Sequence, residues 1–184
     1  MKRVVKVIVF VFLSSLFATP VVAQERVSAI RAARLIDGSG APPIDDPVVL
    51  VRGDIIMAVG TAADVSIPAD AQIIDLGHFT ILPGLIDCHV HITGTPGDGG
   101  DTQALRETEG HGAIHGVVNA KITLDTGFTT IRNTGSNSYG DVAVRDMINA
   151  GVIPGPRIYV APRGLGITGG HADINGWSPH LDLP

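Results

Sequence analysis

The hydrophobic pattern of the chain changes at Pro83, and this change constrains the fold more than any other feature. Between Val27 and about Leu82 the sequence consists of short apolar runs separated by turn residues, which is typical of β-strands. After Pro83, strand-like apolar runs alternate with stretches in which apolar residues recur at helical spacing. Alternation of this kind, with connections of this length, favours a parallel sheet. The sequence therefore predicts an all-β part followed by βα units.

The first part contains a clear hairpin signal. Arg52-Gly53-Asp54 separates the apolar runs Val49-Leu50-Val51 and Ile55-Ile56, and a glycine between two such runs indicates a tight turn. Asp37-Gly38 supplies a further turn. We predict a small β-sandwich or sheet lobe over residues 24–83.

The second part predicts three strands and two helices. A buried strand from Gly84 to Ile92 comes first, and a helix containing Ile114 to Ile122 follows and ends at Thr126-Gly127. The later elements are a strand over 128–131, a helix over about 139–150 that Gly151 and Pro154 close, and a strand over 157–160.

The N-terminal segment has the features of a secretory signal. Early cations precede an apolar run from Val7 to Ala18, and small or apolar residues precede Gln24. The alternative is an uncleaved membrane anchor, but Pro20 follows a run shorter than the roughly 20 residues needed to span a bilayer. We expect residues 1–23 to be removed, leaving an exported chain, periplasmic or secreted, with no stable membrane span.

Composition narrows the classes of partner. The 184-residue chain has a formal net charge of −5, and loss of the signal's cations would make it more acidic still. An acidic surface repels phosphate backbones, so nucleic acid is not an expected partner. Cys88 is the only cysteine, which excludes an intrachain disulfide despite the predicted export.

Two histidines end the first strand of the second part. His89 and His91 are two residues apart in PGLIDCHVHI, so regular strand geometry places both on one face. Two imidazoles so placed can each offer a nitrogen to one Zn²⁺ or similar ion. A pair of histidines on a sheet rim would give the same spacing. The position at the carboxyl end of a strand, where parallel βα folds keep their sites, favours the metal.

The chain resembles the amidohydrolase superfamily. The matching segments, in order, are AARLIDGSG, VVLVRGDIIMAVG, AQIIDLG, ILPGLIDCHVH, AKITLDTGFTTIRNTGS and GPRIYVAPRGLGITGGH. The resemblance implies a β-sandwich joined to a distorted (β/α)₈ barrel. Residues 24–83 would then be the N-terminal part of the sandwich, and residues 84–184 the first three βα units. Because such a barrel takes about 250 residues, we expect it to be incomplete in this chain.

The resemblance also implies a chemistry. It predicts hydrolysis of a C–N amide bond by water that one or two divalent ions activate, with Zn²⁺ as the first choice, while a carboxylate carries the proton to the leaving amine. His89 and His91 would be metal ligands. In the family the other ligands and the proton-transfer aspartate lie on the fourth, fifth, sixth and eighth strands, which places them beyond residue 184. We therefore expect the 184-residue chain alone to be inactive.

The segment Thr168-Gly169-Gly170-His171 resembles the Xaa-Pro and Xaa-Arg dipeptidases related to imidazolonepropionases. Export favours a dipeptide as the substrate. The alternatives are a cyclic-amide hydrolase of the imidazolonepropionase type and an inert fragment of such an enzyme, and a homo-oligomer is compatible with each. Ala172 and Asn133 stand where the related pattern commonly has glycine and aspartate, which marks either a different substrate or neutral drift.

Four further residues have predicted roles or surroundings. Asp87, on the same predicted face as the histidine pair, either orients a ligand histidine or is a buried acid satisfied by backbone donors. His171 follows two glycines after the third strand and is predicted to contact substrate, a plain loop histidine being the alternative. Arg132 pairs either with a substrate carboxylate or, as we prefer, with a buried acid. Cys88 is predicted to be a core thiol facing the helices.

A second histidine pair occurs on the first predicted helix. His111 and His115 are four residues apart, as in the HExxH metal motif, but Gly112 replaces its glutamate. Outer helices of a βα fold also lie away from the strand ends. We predict that this pair lies on a solvated face and binds no metal.

Overall fold

The computed structural model describes residues 26–95, 97, 106–136 and 138–170. The predicted signal over 1–23 and the predicted substrate contact His171 lie outside these ranges. The chain divides into two compact units, one ending at Ile81 and the other beginning at Leu82.

The first unit consists of β-strands, as its sequence pattern predicts. The strands are β1 (Val27–Arg31), β2 (Arg34–Leu35), β3 (Ile44–Asp45), β4 (Pro47–Arg52), β5 (Ile55–Thr61), β6 (Gln72–Asp75) and β7 (Thr80–Ile81). One sheet has the strand order β5-β4-β1-β6, and the other has the order β3-β2-β7. Most neighbouring strands are antiparallel, whereas β1–β6 and β2–β7 are parallel.

The predicted hairpin joins β4 to β5. Arg52 pairs with Ile55, so Gly53 and Asp54 form a two-residue loop. Gly53 has φ +57°, the left-handed conformation that glycine adopts without strain in such loops. The prediction of a tight turn here is confirmed.

A small core holds the first unit together, but it covers only part of the apolar surface. Ala29, Val48 and Val65 are its buried members. The complete β-sandwich stays a prediction, because large apolar side chains of two strands remain exposed in the described part of the chain. They are Ile55, Ile56, Met57 and Val59 of β5, with Ile73 and Ile74 of β6.

Over its described residues the second unit is a three-stranded parallel sheet with two helices, and the predicted βα alternation is confirmed. The elements are β8 (Leu85–Val90), α1 (Glu109–Asp125), β9 (Phe128–Asn133), α2 (Gly140–Asn149) and β10 (Arg157–Tyr159). The strand order, β10-β9-β8, makes β8 and β10 the edge strands of an open sheet. Neither helix in the described residues combines the length and hydrophobicity needed to cross a bilayer.

Apolar residues from all of these layers form one core. Its buried members are Ile92, Ala120, Ile131, Val144 and Ile158. The helix α1 ends at Asp125 with Thr126 as its C-cap, and Gly127 follows with φ +96°, as the Thr126-Gly127 pair predicts.

Two glycines of α1 test how tightly the two helices pack. A Cβ at Gly116 would lie 2.8 Å from Cγ2 of the buried, rotamer-restricted Val144, whereas one at Gly112 would lie 3.7 Å from Cβ of Thr93. We expect Gly116→Ala to lower the free energy of unfolding by about 1–3 kcal/mol through overpacking. Gly112→Ala, the matched control, should leave it unchanged or raise it by up to about 1 kcal/mol through helix propensity. Urea unfolding measures both variants, and equal effects would contradict the packing argument.

Candidate active site

The loops that follow the three parallel strands lie together at one edge of the sheet. Thr93, after β8, is 3.2 Å from Ser136, after β9, measured between their hydroxyl oxygens. The backbone N–H of Ser136 in turn donates to the carbonyl of Pro162, after β10, at 2.9 Å. This is the edge at which parallel βα folds keep their functional residues, and both histidines of the HxH pair lie at it.

The imidazoles of His89 and His91 are neighbours. Their ring centroids are 5.6 Å apart and the ring planes meet at 74°. Both residues are exposed to solvent. Adjacent, accessible imidazoles are the arrangement from which a divalent cation can take two ligands.

A hydrogen bond determines which nitrogen of His91 is free. Its Nδ1 lies 3.1 Å from the carbonyl oxygen of Gly135. Because a carbonyl oxygen can only accept, Nδ1 carries a hydrogen, and in the neutral imidazole Nε2 then keeps its lone pair. Metal-binding histidines are commonly oriented by such a bond from the other ring nitrogen.

The strand that carries the histidines contains a bulge. Asp87 pairs with Ile131 and Val90 pairs with Asn133, so Cys88 and His89 together oppose the single residue Arg132. Regular alternation is therefore interrupted between Asp87 and His89, and the prediction that Asp87 shares the face of the two histidines loses that support. A bulge adds a residue to one strand and interrupts the two-residue repeat.

The bulge explains the contact that Arg132 makes. Its Nε donates to the carbonyl oxygen of Cys88 at 2.8 Å. A bulge leaves backbone groups without ladder partners, and Arg132 stands opposite this one. Among the described residues no ion pair is found for Arg132, so its salt bridge with a buried acid stays a prediction.

Asp87 supports the backbone at the same place. Its Oδ1 accepts the backbone N–H of His89 at 3.0 Å. The half-buried carboxylate of Asp87 thus holds the peptide of His89. Of the two alternatives predicted for Asp87, this contact corresponds to an acid that a backbone donor satisfies. Orientation of a metal-bound histidine by Asp87 stays a prediction.

Cys88 is exposed, so the prediction of a core thiol is wrong. β8 is an edge strand, and α1 and α2 lie against β9 and β10. Val90 of the same strand does pack against the core. The helical layer therefore covers the end of β8 but not its middle.

Two asparagines that the sequence did not assign to the site hold the chain next to His91. Asn133 Oδ1 accepts the backbone N–H of Ile92 at 2.9 Å. Asn119, on α1, donates through Nδ2 to the carbonyl oxygens of Ile92 and Gly94, each at 2.8 Å. The backbone after His91 is thus fixed from both sides. Two features of the sequence could have indicated these roles: Asn133 is a polar residue at the end of an apolar strand, and Asn119 is a polar residue in an otherwise apolar stretch of helix.

The second histidine pair has other partners, and the prediction of a simple solvated face is incomplete. Nδ1 of His111 accepts the backbone N–H of Thr108 at 3.1 Å, which caps the start of α1. His115 Nε2 lies 3.4 Å from Oε1 of Glu107. Within the described ranges no group of three or more His, Cys, Asp or Glu side chains gathers as a metal site. Within the part of the chain that the structure describes, His89 and His91 are thus a pair and not a complete ligand set.

Comparison with known proteins gives a consistent picture. Residues 80–168 match the amidohydrolase family. The ochratoxinase of Aspergillus niger is 31% identical over 157 residues, which is 82% of this chain and 31% of that protein. The imidazolonepropionase of Idiomarina loihiensis is 37% identical over 69 residues, which is 38% of this chain and 17% of that protein.

Similar solved structures superpose on most of this chain. A Xaa-Pro dipeptidase crystallised with methionine in its active site superposes with a TM-score of 0.73 at 30% identity, covering 86% of this chain and 39% of that one. The A. niger ochratoxinase structure gives a TM-score of 0.69 at 28% identity, covering 82% of this chain and 34% of that one. The chain thus spans 31% of the length of the ochratoxinase and 39% of the length of the dipeptidase chain.

Proposed function

Because residues 80–168 belong to the amidohydrolase family, we propose that the protein is a metal-dependent hydrolase of a C–N amide bond in a dipeptide. In this proposal His89 and His91 hold one or two divalent cations, Zn²⁺ being the first choice. The match to the family and the similarity to dipeptidase and ochratoxinase structures support the hydrolase class. The activity, the metal, the substrate and the location are all parts of the proposal.

The single observation that carries the metal proposal is the geometry of the histidine pair. The two rings are adjacent, and the Nδ1 hydrogen of His91 is directed to the carbonyl of Gly135, which leaves Nε2 with a lone pair. This fits the donor set expected of a borderline ion such as Zn²⁺. A tetrahedral site needs further ligands, and in this proposal they come from parts of the protein outside the described residues.

The chain's own residues would contribute binding and position. When bound, a divalent cation lowers the pKa of water and polarises a carbonyl. His89 and His91 would hold it at the open edge of the sheet, and Asp87 would keep the peptide of His89 in place through the backbone bond at 3.0 Å. The loop after β10 borders the same edge through the Ser136–Pro162 bond, so a substrate would lie between these loops.

A dipeptide is the proposed substrate for two reasons. The similar Xaa-Pro dipeptidase structure superposes on 86% of this chain at 30% identity. The proposed secretory signal would also place the enzyme in the periplasm or outside the cell, away from a cytosolic cyclic-amide pathway.

The proposal is tested on the purified full-length protein with Xaa-Pro and Xaa-Arg dipeptides and with imidazolonepropionate. We expect dipeptide hydrolysis that a chelator abolishes and added Zn²⁺ restores, because metal removal takes away the activated water. Dilution of the chelator without metal is the control and should restore nothing. Turnover of the cyclic amide alone would favour the imidazolonepropionase alternative, and chelator-resistant hydrolysis would refute the metal.

A further inference from the structure

A fully buried polar pair lies behind the candidate metal site. Asn133, at the end of β9, and Asp141, in the first turn of α2, both have 0% exposure. Nδ2 of Asn133 donates to Oδ2 of Asp141 at 2.8 Å. Buried polar groups are costly unless hydrogen-bonded, so such a pair is maintained only with its partners in place.

The partners determine the orientation of the Asn133 amide. Its oxygen faces the N–H of Ile92 at 2.9 Å, while its nitrogen faces two oxygens, Oδ2 of Asp141 at 2.8 Å and the carbonyl of Gly135 at 3.3 Å. The reversed amide would place oxygen against two oxygens and nitrogen against a donor. Only one orientation satisfies the site.

The carbonyl of Gly135 connects this pair to the histidine. The same oxygen accepts from Nδ2 of Asn133 and from Nδ1 of His91, at 3.3 and 3.1 Å. We propose that Asn133, oriented by Asp141, is a positioning residue that holds the Gly135 carbonyl and thereby keeps the Nε2 lone pair of His91 free for a cation. Its consequence for metal binding rests on the proposed function, whereas the choice of tautomer does not.

The pair also accounts for asparagine at position 133. An aspartate there would place its carboxylate against the carboxylate of Asp141 and the carbonyl of Gly135, with no hydrogen for either. Two carboxylates at this distance in a buried place disfavour one another's charge. Asparagine satisfies all three contacts because it supplies both a donor and an acceptor.

The test uses the variants Asn133→Asp and Asn133→Asp/Asp141→Asn in the full-length protein. In the double variant the donor and the acceptor are exchanged, so the bond between 133 and 141 can form again and stability should return. A carboxylate oxygen still faces the Gly135 carbonyl, so the position of that carbonyl should stay disturbed. Asn149→Asp, the same change at an exposed residue of α2, is the matched control.

Two measurements distinguish a positioning role of Asn133 from a role in stability alone. The first is the tautomer of His91 from ¹⁵N-histidine NMR spectra of the metal-free protein near pH 8.5, where an ordinary imidazole is neutral. The second is the affinity for Zn²⁺ by competition with a chromophoric chelator. We expect wild type and Asn149→Asp to show the Nδ1–H form. Both variants with aspartate at 133 should show a tautomer mixture and an affinity about 10–100-fold lower, as for loss of other groups that orient metal ligands.

The inference is overturned if the exchange restores affinity and tautomer together with stability, because the pair would then be only structural. It is also overturned if wild-type His91 is in the Nε2–H form, a measurement that remains decisive should both variants fail to fold. A wild-type protein that binds no Zn²⁺ yet shows the Nδ1–H form of His91, lost in the variants, would refute the proposed function and support the positioning role.

Discussion

Replacement of either His89 or His91 by alanine is expected to abolish metal-dependent hydrolysis by the full-length protein. The two rings are adjacent at the edge of the sheet, 5.6 Å between centroids, and each would supply one ligand. A site that loses one of its imidazoles retains its cation poorly, because affinity depends on ligand number and geometry. Metal content and kcat/KM, measured on the same samples, should therefore fall together.

His111→Ala and His115→Ala are the matched controls, since they make the same substitution in a second closely spaced histidine pair. Nδ1 of His111 already accepts the backbone N–H of Thr108, so it is not free to bind a cation. Its loss should cost about 0.5–2 kcal/mol of stability through the helix cap and leave turnover nearly unchanged. Equal losses of metal from both pairs would mean that the site lies elsewhere.

The alternation of strands and helices after Pro83 could be predicted because it depends on local patterns. A buried strand reads as a continuous apolar run, and the end of α1 is marked by Thr126-Gly127, where Gly127 adopts φ +96°. The start of α1 at Glu109 was not predicted. That first turn is held by Thr108 and His111, polar residues that contribute nothing to a hydrophobic period.

The arrangement around the histidines could be predicted only in part. That His89 and His91 are neighbours followed from their spacing, but the bulge at Cys88 depends on the register with β9, which the sequence of β8 alone does not contain. Arg132 and Cys88 are 44 residues apart in the chain, as are His91 and Gly135. Hydrogen bonds over such separations are determined by tertiary packing, and no local period reports them.

His171→Asn is expected to lower kcat/KM by roughly one to three powers of ten while the metal stays bound, the range for a positioned polar or acid–base group. The residue itself lies outside the described part, but the turn that leads to it is defined. Gly169 has φ +76°, and a Cβ at Gly170 would lie 2.9 Å from the carbonyl oxygen of Ile167. Both positions therefore favour glycine, and the loop they belong to follows β10 at the edge that carries His91.

His171 could be a metal ligand or a substrate contact, and its substitution has a different effect in each case. Loss of a metal ligand lowers metal content, whereas loss of a contact made in the transition state lowers turnover with the metal retained. Metal analysis and kinetics on one preparation of His171→Asn separate these cases, with His89→Ala as the reference for ligand loss. A variant purified without metal would make His171 a ligand. A fully active variant would reduce the glycine–histidine segment to a structural turn, because no step of catalysis would then depend on its imidazole.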